Sequence, residues 1–440
     1  MKIKFLQLID WTMLLCVLLL SVIGICFIYS SAINQQGQLV TKEYIKQIIW
    51  VVLGLALLFA AAIYDYRNFE RYISIVFGVL IILLILTRIF GKTINGAKSW
   101  LGIGEFGIQP SEFGKILYIL FLGWYFHKTE EWNERKRFFG AFLIMGFTMG
   151  LILIQPDLGT ASVYIPIFFF MCFAAGVPLR YILGMLSFGM LTVLLAILPV
   201  WQDQIAGHTY ALLSILTVNK IRVLFTAGFG AITLTGLLGM LFFRHNKYYF
   251  WITYVSAIIF GALVCSLAVT KVLKPYQIQR LIIFLDPYTD KQGSGWNIIQ
   301  SKTAIGAGGF FGKGFLRGTQ SHLRFLPEQS TDFIFSILSE EAGFLGGFIV
   351  FALYFLLMGR MILIIRRTTN HYGYYVASGI LGLFFFHFMV NVGMVMGIMP
   401  ITGIPLLFLS YGGSSMWTAM VCVGIMMSVN YRHFTFMHQE

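Results

Sequence analysis

A few ionisable and strongly polar residues fall inside runs that are otherwise apolar. Hydrocarbon makes such groups costly, so each needs a partner or a function. Glu112 and Lys115 are three apart and share one helical face. They read first as an ion pair that fixes helix packing. His387 and Asn391, four apart, also share a face. Asp332, Ser336, Ser339, Glu340 and Gly343 form a stripe at helical spacing, which must face the protein interior or a wet cavity. Asp332 falls at the end of its run, beside a long loop. There it is either a general base at the membrane surface or a first-turn carboxylate favoured by the helix dipole, with Ser330 as N-cap. Spacing does not choose between these. Glu340 and Glu341 fall deeper, nearer mid-bilayer, where structural hydrogen bonding and a proton path are both open.

These groups must be carried by membrane helices. The chain has 440 residues, 58% hydrophobic and 11% charged, with a mean hydropathy of +0.81. A soluble domain carries about 25% charged residues, and so few could not cover a water-facing surface. Twelve runs approach the length of about 20 residues that a spanning helix needs, near 11–30, 46–64, 72–90, 111–127, 138–155, 160–177, 180–200, 221–243, 249–271, 332–358, 374–395 and 405–430. The basic residues between them, Arg67 and Arg71, His127 to Arg137, Arg180, Arg244 and Lys247, Arg360 to Arg367, and Arg432, all fall on one side if the N-terminus is cytoplasmic. The net charge of +13 therefore reads as topology, and no nucleic-acid partner is expected. Lys2 and Lys4 precede the first run, which is too long for a signal-peptide core and reads as a retained helix. Cys16, Cys26, Cys172, Cys265 and Cys422 lie in apolar runs and read as small apolar residues.

Segments 31–45, 91–110, 201–220 and 396–404 are expected as outer loops. So is 272–331, the longest connection at 60 residues, with a net charge of +4. A long basic loop outside the cell runs against the usual charge preference; an anionic ligand would explain it, and outer lipid head groups are the blander alternative. Its glycine run Ala307-Gly308-Gly309-Phe310-Phe311-Gly312-Lys313-Gly314 is not a P-loop, since it lacks the first glycine and the final Ser or Thr. These glycines read as turns. Ser410-Tyr411-Gly412-Gly413-Ser414-Ser415 interrupts the last run, where it permits a kink or lines a cavity with backbone groups.

An ordered set of short motifs spans most of the chain. It comprises Asn95-Gly96-Ala97-Lys98-Ser99-Trp100-Leu101, Gln109-Pro110-Ser111-Glu112 with Lys115, and Gln155-Pro156-Asp157-Leu158-Gly159-Thr160. The loop adds Tyr276-Gln277-Ile278-Gln279-Arg280, Phe284-Leu285-Asp286-Pro287, Ile299-Gln300-Ser301-Lys302, Gly318-Thr319-Gln320-Ser321, Phe325-Leu326-Pro327-Glu328 and Thr331-Asp332-Phe333-Ile334-Phe335. Asn391-Val392-Gly393-Met394 and the Ser410–Ser415 run complete it. In this set the chain resembles the SEDS family (shape, elongation, division and sporulation proteins), on its RodA rather than its FtsW branch.

The resemblance implies an all-α polytopic membrane protein and a peptidoglycan glycosyltransferase that polymerises lipid II during cell elongation. It implies Asp332 as the catalytic residue, with Lys98, Trp100, Glu112, Lys115, Arg280, Lys302, Gln320, Glu328 and Ser414 as substrate-binding candidates. Lys98, Arg280, Lys302 or a divalent cation such as Mg or Mn would balance the leaving pyrophosphate. Implied partners are a class B penicillin-binding protein and other elongation-complex membrane proteins. The implied setting is a bacterial cytoplasmic membrane, with both termini inside and the active site outside. The family pattern has ten spans and a histidine before Thr-Asp. Here 201–271 reads as an added helix pair and Gln329-Ser330 stands at the histidine's place. The rival readings are a lipid II flippase or transporter, and a scaffold without catalysis.

Overall fold

In a low-dielectric slab an apolar run can satisfy its backbone only by coiling into a helix. The computed structural model describes residues 9–94, 96–103, 106–202, 205, 219–243, 247–272, 275–290 and 293–437. Each of the twelve runs overlaps a helix, the last, near 405–430, only from Gly413 onward. The helices are α1 Trp11–Ser31, α2 Glu43–Ile63, α3 Phe69–Phe90, α4 Pro110–Lys128, α5 Glu134–Ile154, α6 Leu158–Ala174, α7 Leu179–Trp201, α8 Asn219–Phe242, α9 Lys247–Val272, α13 Ile334–Arg367, α14 His371–Val395 and α15 Gly413–Met437. Among the described residues nine helices are long and apolar enough to cross a membrane, and α6 is a shorter apolar helix. The chain is therefore a multi-pass membrane protein. The loop before α13 carries three short helices, α10 Pro275–Leu285, α11 Ser294–Gly308 and α12 Thr319–His322.

Local chemistry sets several helix starts. Pro110 occupies the first turn of α4, where its missing N–H costs nothing. Asp157 caps α6 by accepting from Thr160 N at 3.0 Å, and Asn370 caps α14 by accepting from Gly373 N at 2.9 Å. Asp10 caps α1 through Met13 N at 3.2 Å. Its second oxygen takes Arg360 Nε at 2.7 Å, tying α1 to the far end of α13.

The chain divides into two units, Met1–Val177 with Asn297–Glu440, and Pro178–Trp296. In the first, α15 packs along α2, α14 packs on α4, α6 and α13, and α13 packs on α1. In the second, α8 and α9 form an antiparallel pair that packs through α9 on α7, and α10 packs on α7. This pair falls in the segment read as an addition, of which 203–204, 206–218 and 244–246 lie outside the described residues, as do Lys274 and Lys291 of the basic loop. The five cysteines are all free.

Two elements differ from the sequence expectation. Segment 91–110 is not an irregular loop. It folds as an antiparallel three-stranded sheet of β1 Lys92–Ile94, β2 Ala97–Ile103 and β3 Phe106–Ile108, with β2 central. The second difference is in α13, which is broken at Gly343 (φ 64°, ψ −161°). Residues 344–367 still measure about 36 Å at 1.5 Å per residue, enough to span alone. Glu340 and Glu341 thus belong to a short segment before the break.

Candidate active site

Asp332 lies in a turn just before α13 and is half-buried. The helix begins at Ile334, after Phe333, with no side-chain cap. Ser330 is therefore not an N-cap, and the capping explanation of Asp332 loses its partner. The turn is built by Glu328, whose backbone sits at φ 48°. Its carbonyl accepts from the N–H groups of Thr331 (3.3 Å), Asp332 (3.2 Å) and Phe333 (3.4 Å).

Three successive carbonyls of this turn are each held from outside it. Tyr411 N donates to Ser330 O at 2.8 Å. Ser410 Oγ donates to Thr331 O at 2.6 Å and accepts from Leu406 N at 2.8 Å. Asn391 Nδ2 donates to Asp332 O at 3.1 Å and to Ile404 O at 2.8 Å. Gln47 of α2 then bridges Ser410 O and Gly412 N, both at 3.2 Å. With the backbone fixed on both sides, the carboxylate has a defined direction. It points along Gly403 (φ 72°), where a Cβ would stand 3.5 Å from Oδ2. At that φ any side chain, alanine included, would strain the backbone beside the carboxylate.

A second polar chain runs inside the bundle. Lys115 Nζ donates to Glu112 Oε1 at 2.6 Å and meets His387 Nε2 at 3.3 Å. A lysine ammonium has only donors, so Nε2 must accept and the His387 proton sits on Nδ1. There it donates to Pro405 O at 2.9 Å. His387 and Asn391 therefore grip adjacent carbonyls, 405 and 404, from one face of α14. Glu112 and Lys115 are 5% and 1% exposed, so their ion pair is buried within α4, and the Lys115 contact with His387 links it to α14.

The remaining sequence candidates are spread over the first unit, except one. Lys98, on β2, donates its ammonium to Ile89 O at 2.9 Å near the end of α3, and its N–H to Gln155 O at 3.1 Å. Trp100, also on β2, covers Gly107 of β3. Ser414 Oγ accepts from Gln109 N at 3.4 Å. Lys302 is exposed on α11, with its ammonium end against Gly397. Its neighbour Ser301 pins α11 by contacts of 2.7 Å to Ser336 Oγ and Val395 O. Gln320 contributes its N–H to the Glu340 carboxylate at 3.1 Å. Glu328 acts mainly through its backbone, and its side chain accepts from Thr331 Oγ1 at 3.3 Å. Arg280 lies on α10 in the second unit. The structure thus gathers Glu328, Asn391 and Ser410 around Asp332. It adds Gln47 and Gly403, which the sequence reading does not single out.

A profile of cell cycle proteins, the family of FtsW, RodA and SpoVE, matches residues 10–210 and 199–434. The chain belongs to this family. It is 50% identical over 432 residues to the peptidoglycan glycosyltransferase RodA of Treponema pallidum, covering 98% of this chain and 100% of the relative. It is 32% identical over 422 residues to the peptidoglycan glycosyltransferase MrdB of Escherichia coli, covering 96% and 93%. Among solved structures it resembles a chain of a peptidoglycan synthase complex described as coordinating polymerization and crosslinking, with a TM-score of 0.68, 25% identity and coverage of 97% and 98%. It shares its fold with the rod shape determining protein RodA of Thermus thermophilus, with a TM-score of 0.58, 22% identity and 97% coverage of each chain.

Chemically, the arrangement offers a carboxylate on a clamped turn, suited to taking a proton from a hydroxyl. Among the described residues no three His, Cys, Asp or Glu side chains converge to hold a metal ion.

Proposed function

We propose that this chain is a peptidoglycan glycosyltransferase of cell elongation that polymerises lipid II, with Asp332 as its general base. The activity rests on the 50% identity to RodA over essentially the whole of both chains. The assignment of Asp332 rests on the clamp that fixes its turn by three carbonyls.

In the proposed step the C4 hydroxyl of the terminal GlcNAc of one lipid II attacks the anomeric carbon of the MurNAc that ends the growing strand. Asp332 takes the hydroxyl proton as the new C–O bond forms. The bond from the anomeric carbon to phosphate breaks, undecaprenyl pyrophosphate leaves with the electron pair, and the configuration inverts. Charge builds on the pyrophosphate, and preorganised cations lower that cost. Lys302 is the exposed cation of α11 in the same unit, and Arg280 and Lys98 are the other candidates.

The basic residues between spans support cytoplasmic termini and an outward-facing Asp332. A class B penicillin-binding protein is the proposed crosslinking partner, alongside other elongation-complex membrane proteins. Transport is the weaker reading. Glu340 and Glu341, the carboxylates that would serve it, are engaged by the outer loop: Lys313 Nζ meets Glu340 at 2.7 Å, and Leu316 N meets Glu341 at 3.1 Å.

The test is polymerisation of lipid II by the purified protein with its partner, comparing wild type with Asp332→Asn. Strands from wild type alone are expected. Equal strands from both would remove Asp332 from the chemistry. No strands from either folded complex would favour transport or a scaffold.

A further inference from the structure

The break in α13 is filled by another part of the chain. In a continuous helix Phe344 N would bond Glu340 O and Leu345 N would bond Glu341 O. Neither bond forms. Phe344 N donates instead to Gly309 O at 2.9 Å, and Leu345 N to Phe310 O at 3.1 Å. The two carbonyls so released accept from Lys313 N at 3.0 Å and Gly314 N at 2.9 Å. Segment 309–314 thus stands between the two halves of two helical hydrogen bonds and replaces them with four. All four backbone groups of those two bonds are thereby satisfied, which makes the break tolerable.

Two glycines make the insertion possible. Gly343 and Gly312 both have positive φ, 64° and 79°, and face each other. A Cβ on Gly343 would collide with Gly312 N and Phe310 O, and one on Gly312 with Glu341 O. Side chains then tie the segment down. Glu340 Oε1 accepts from Lys313 Nζ at 2.7 Å, Thr319 N at 2.8 Å and Gln320 N at 3.1 Å. Glu341 accepts from Leu316 N at 3.1 Å and from Ser30 Oγ of α1 at 2.5 Å. At the tip Phe310 and Phe311 are 58% and 77% exposed, and Phe310 stacks on Phe344 with ring centroids 5.5 Å apart.

We propose that segment 309–314 is a wedge, seated through Gly312 and Gly343, whose insertion into α13 positions Asp332 for transfer. The proposal rests on the reading of Asp332 as the base. The piece of α13 before the break starts about 13 Å from Gly343 at 1.5 Å per residue. A change of about 30° at the break would move that start, and Asp332 beside it, by about 7 Å. Misplacement of about 1 Å already costs on the order of a hundredfold in rate. Gly312 and Gly343 are therefore positioning residues. Losing the wedge lowers kcat while lipid II still binds.

The test pairs amide hydrogen exchange with polymerisation kinetics for Gly312→Ala, Gly343→Ala and Lys313→Met in the complex with the partner. Lys313→Met removes a tether without touching the backbone junction, and so serves if the glycine variants fail to fold. Exchange over 309–316 is expected to accelerate by about tenfold or more in the glycine variants, the factor that goes with about 1.4 kcal/mol. In those variants kcat should fall below about a tenth of wild type with KM for lipid II unchanged. Lys313→Met should shift both in the same direction by less. Accelerated exchange with wild-type kcat would overturn the proposal, as would unchanged exchange in both glycine variants, or in Lys313→Met where neither folds. Asp332→Asn, measured alongside, separates the two claims. If it keeps activity, the assignment of Asp332 falls, while the exchange data still report whether the wedge is seated.

Discussion

Replacing Lys115 by methionine tests how the interior polar chain is held together. Lys115 is the donor to Glu112 Oε1, and Glu112 Oε2 has no hydrogen-bond partner among the described residues. At 5% exposure the carboxylate has little access to water. Lys115→Met therefore leaves a buried charge unpaired, which costs about 3–5 kcal/mol. It also leaves His387 Nε2 without its donor. Glu112→Leu with Lys115→Met removes both charges at similar volume, and such replacements are often neutral or stabilising. The double variant should therefore be more stable than Lys115→Met alone. The interaction energy from the cycle should be near the top of the usual range, about 3 kcal/mol. The assay is reversible unfolding of wild type, both single variants and the double variant in one mixed-micelle system. Additive losses, with the double variant the least stable of the four, would refute the claim that the two side chains form a coupled, buried ion pair within α4.

Two further predictions concern Asp332 and its substrate. Asn391→Asp keeps the shape but swaps a two-proton donor for an acceptor facing Asp332 O and Ile404 O. Each orphaned buried carbonyl costs about 1–3 kcal/mol. Lipid II polymerisation should fall by about tenfold or more, further than in Asn391→Ala, and wild-type turnover in Asn391→Asp would dismiss the clamp. Lys302→Ala and Arg280→Ala should each lower kcat/KM for lipid II by about tenfold by removing a cation from the leaving pyrophosphate. Unchanged steady-state kinetics in both would take them out of the site.

The spanning helices were legible because an apolar run in lipid has one backbone solution, and the i,i+3 spacing of Glu112 and Lys115 gave their ion pair directly. The sheet at 92–108 was not. Its strands are three to seven residues long and carry Lys, Gly and Ser, so they lack the alternation that marks a half-buried strand. The break in α13 was hidden for another reason. Gly343 lies in the same helix as Gly346, Gly347 and Gly359, and nothing in its own neighbourhood separates it from them. What singles it out is Gly312, thirty-one residues earlier in the chain. Missing that pairing is what hid the break.

The clamp on Asp332 was illegible in a more general way, because backbone carbonyls look alike in every sequence. Its side-chain half was visible: Asn391, His387 and Ser410 stood out as polar groups in apolar surroundings. What they bond is non-helical backbone, at Thr331, Asp332, Ile404 and Pro405. A site at the mouth of a helical bundle needs such backbone, since a carboxylate on a regular helix is aimed only by its own rotamers. Irregular backbone inside a membrane protein persists only where protein groups satisfy it. On that argument the polar residues of α14 are not spare chemistry. They supply the hydrogen bonds that allow two irregular segments to meet, and Asp332 stands where they do.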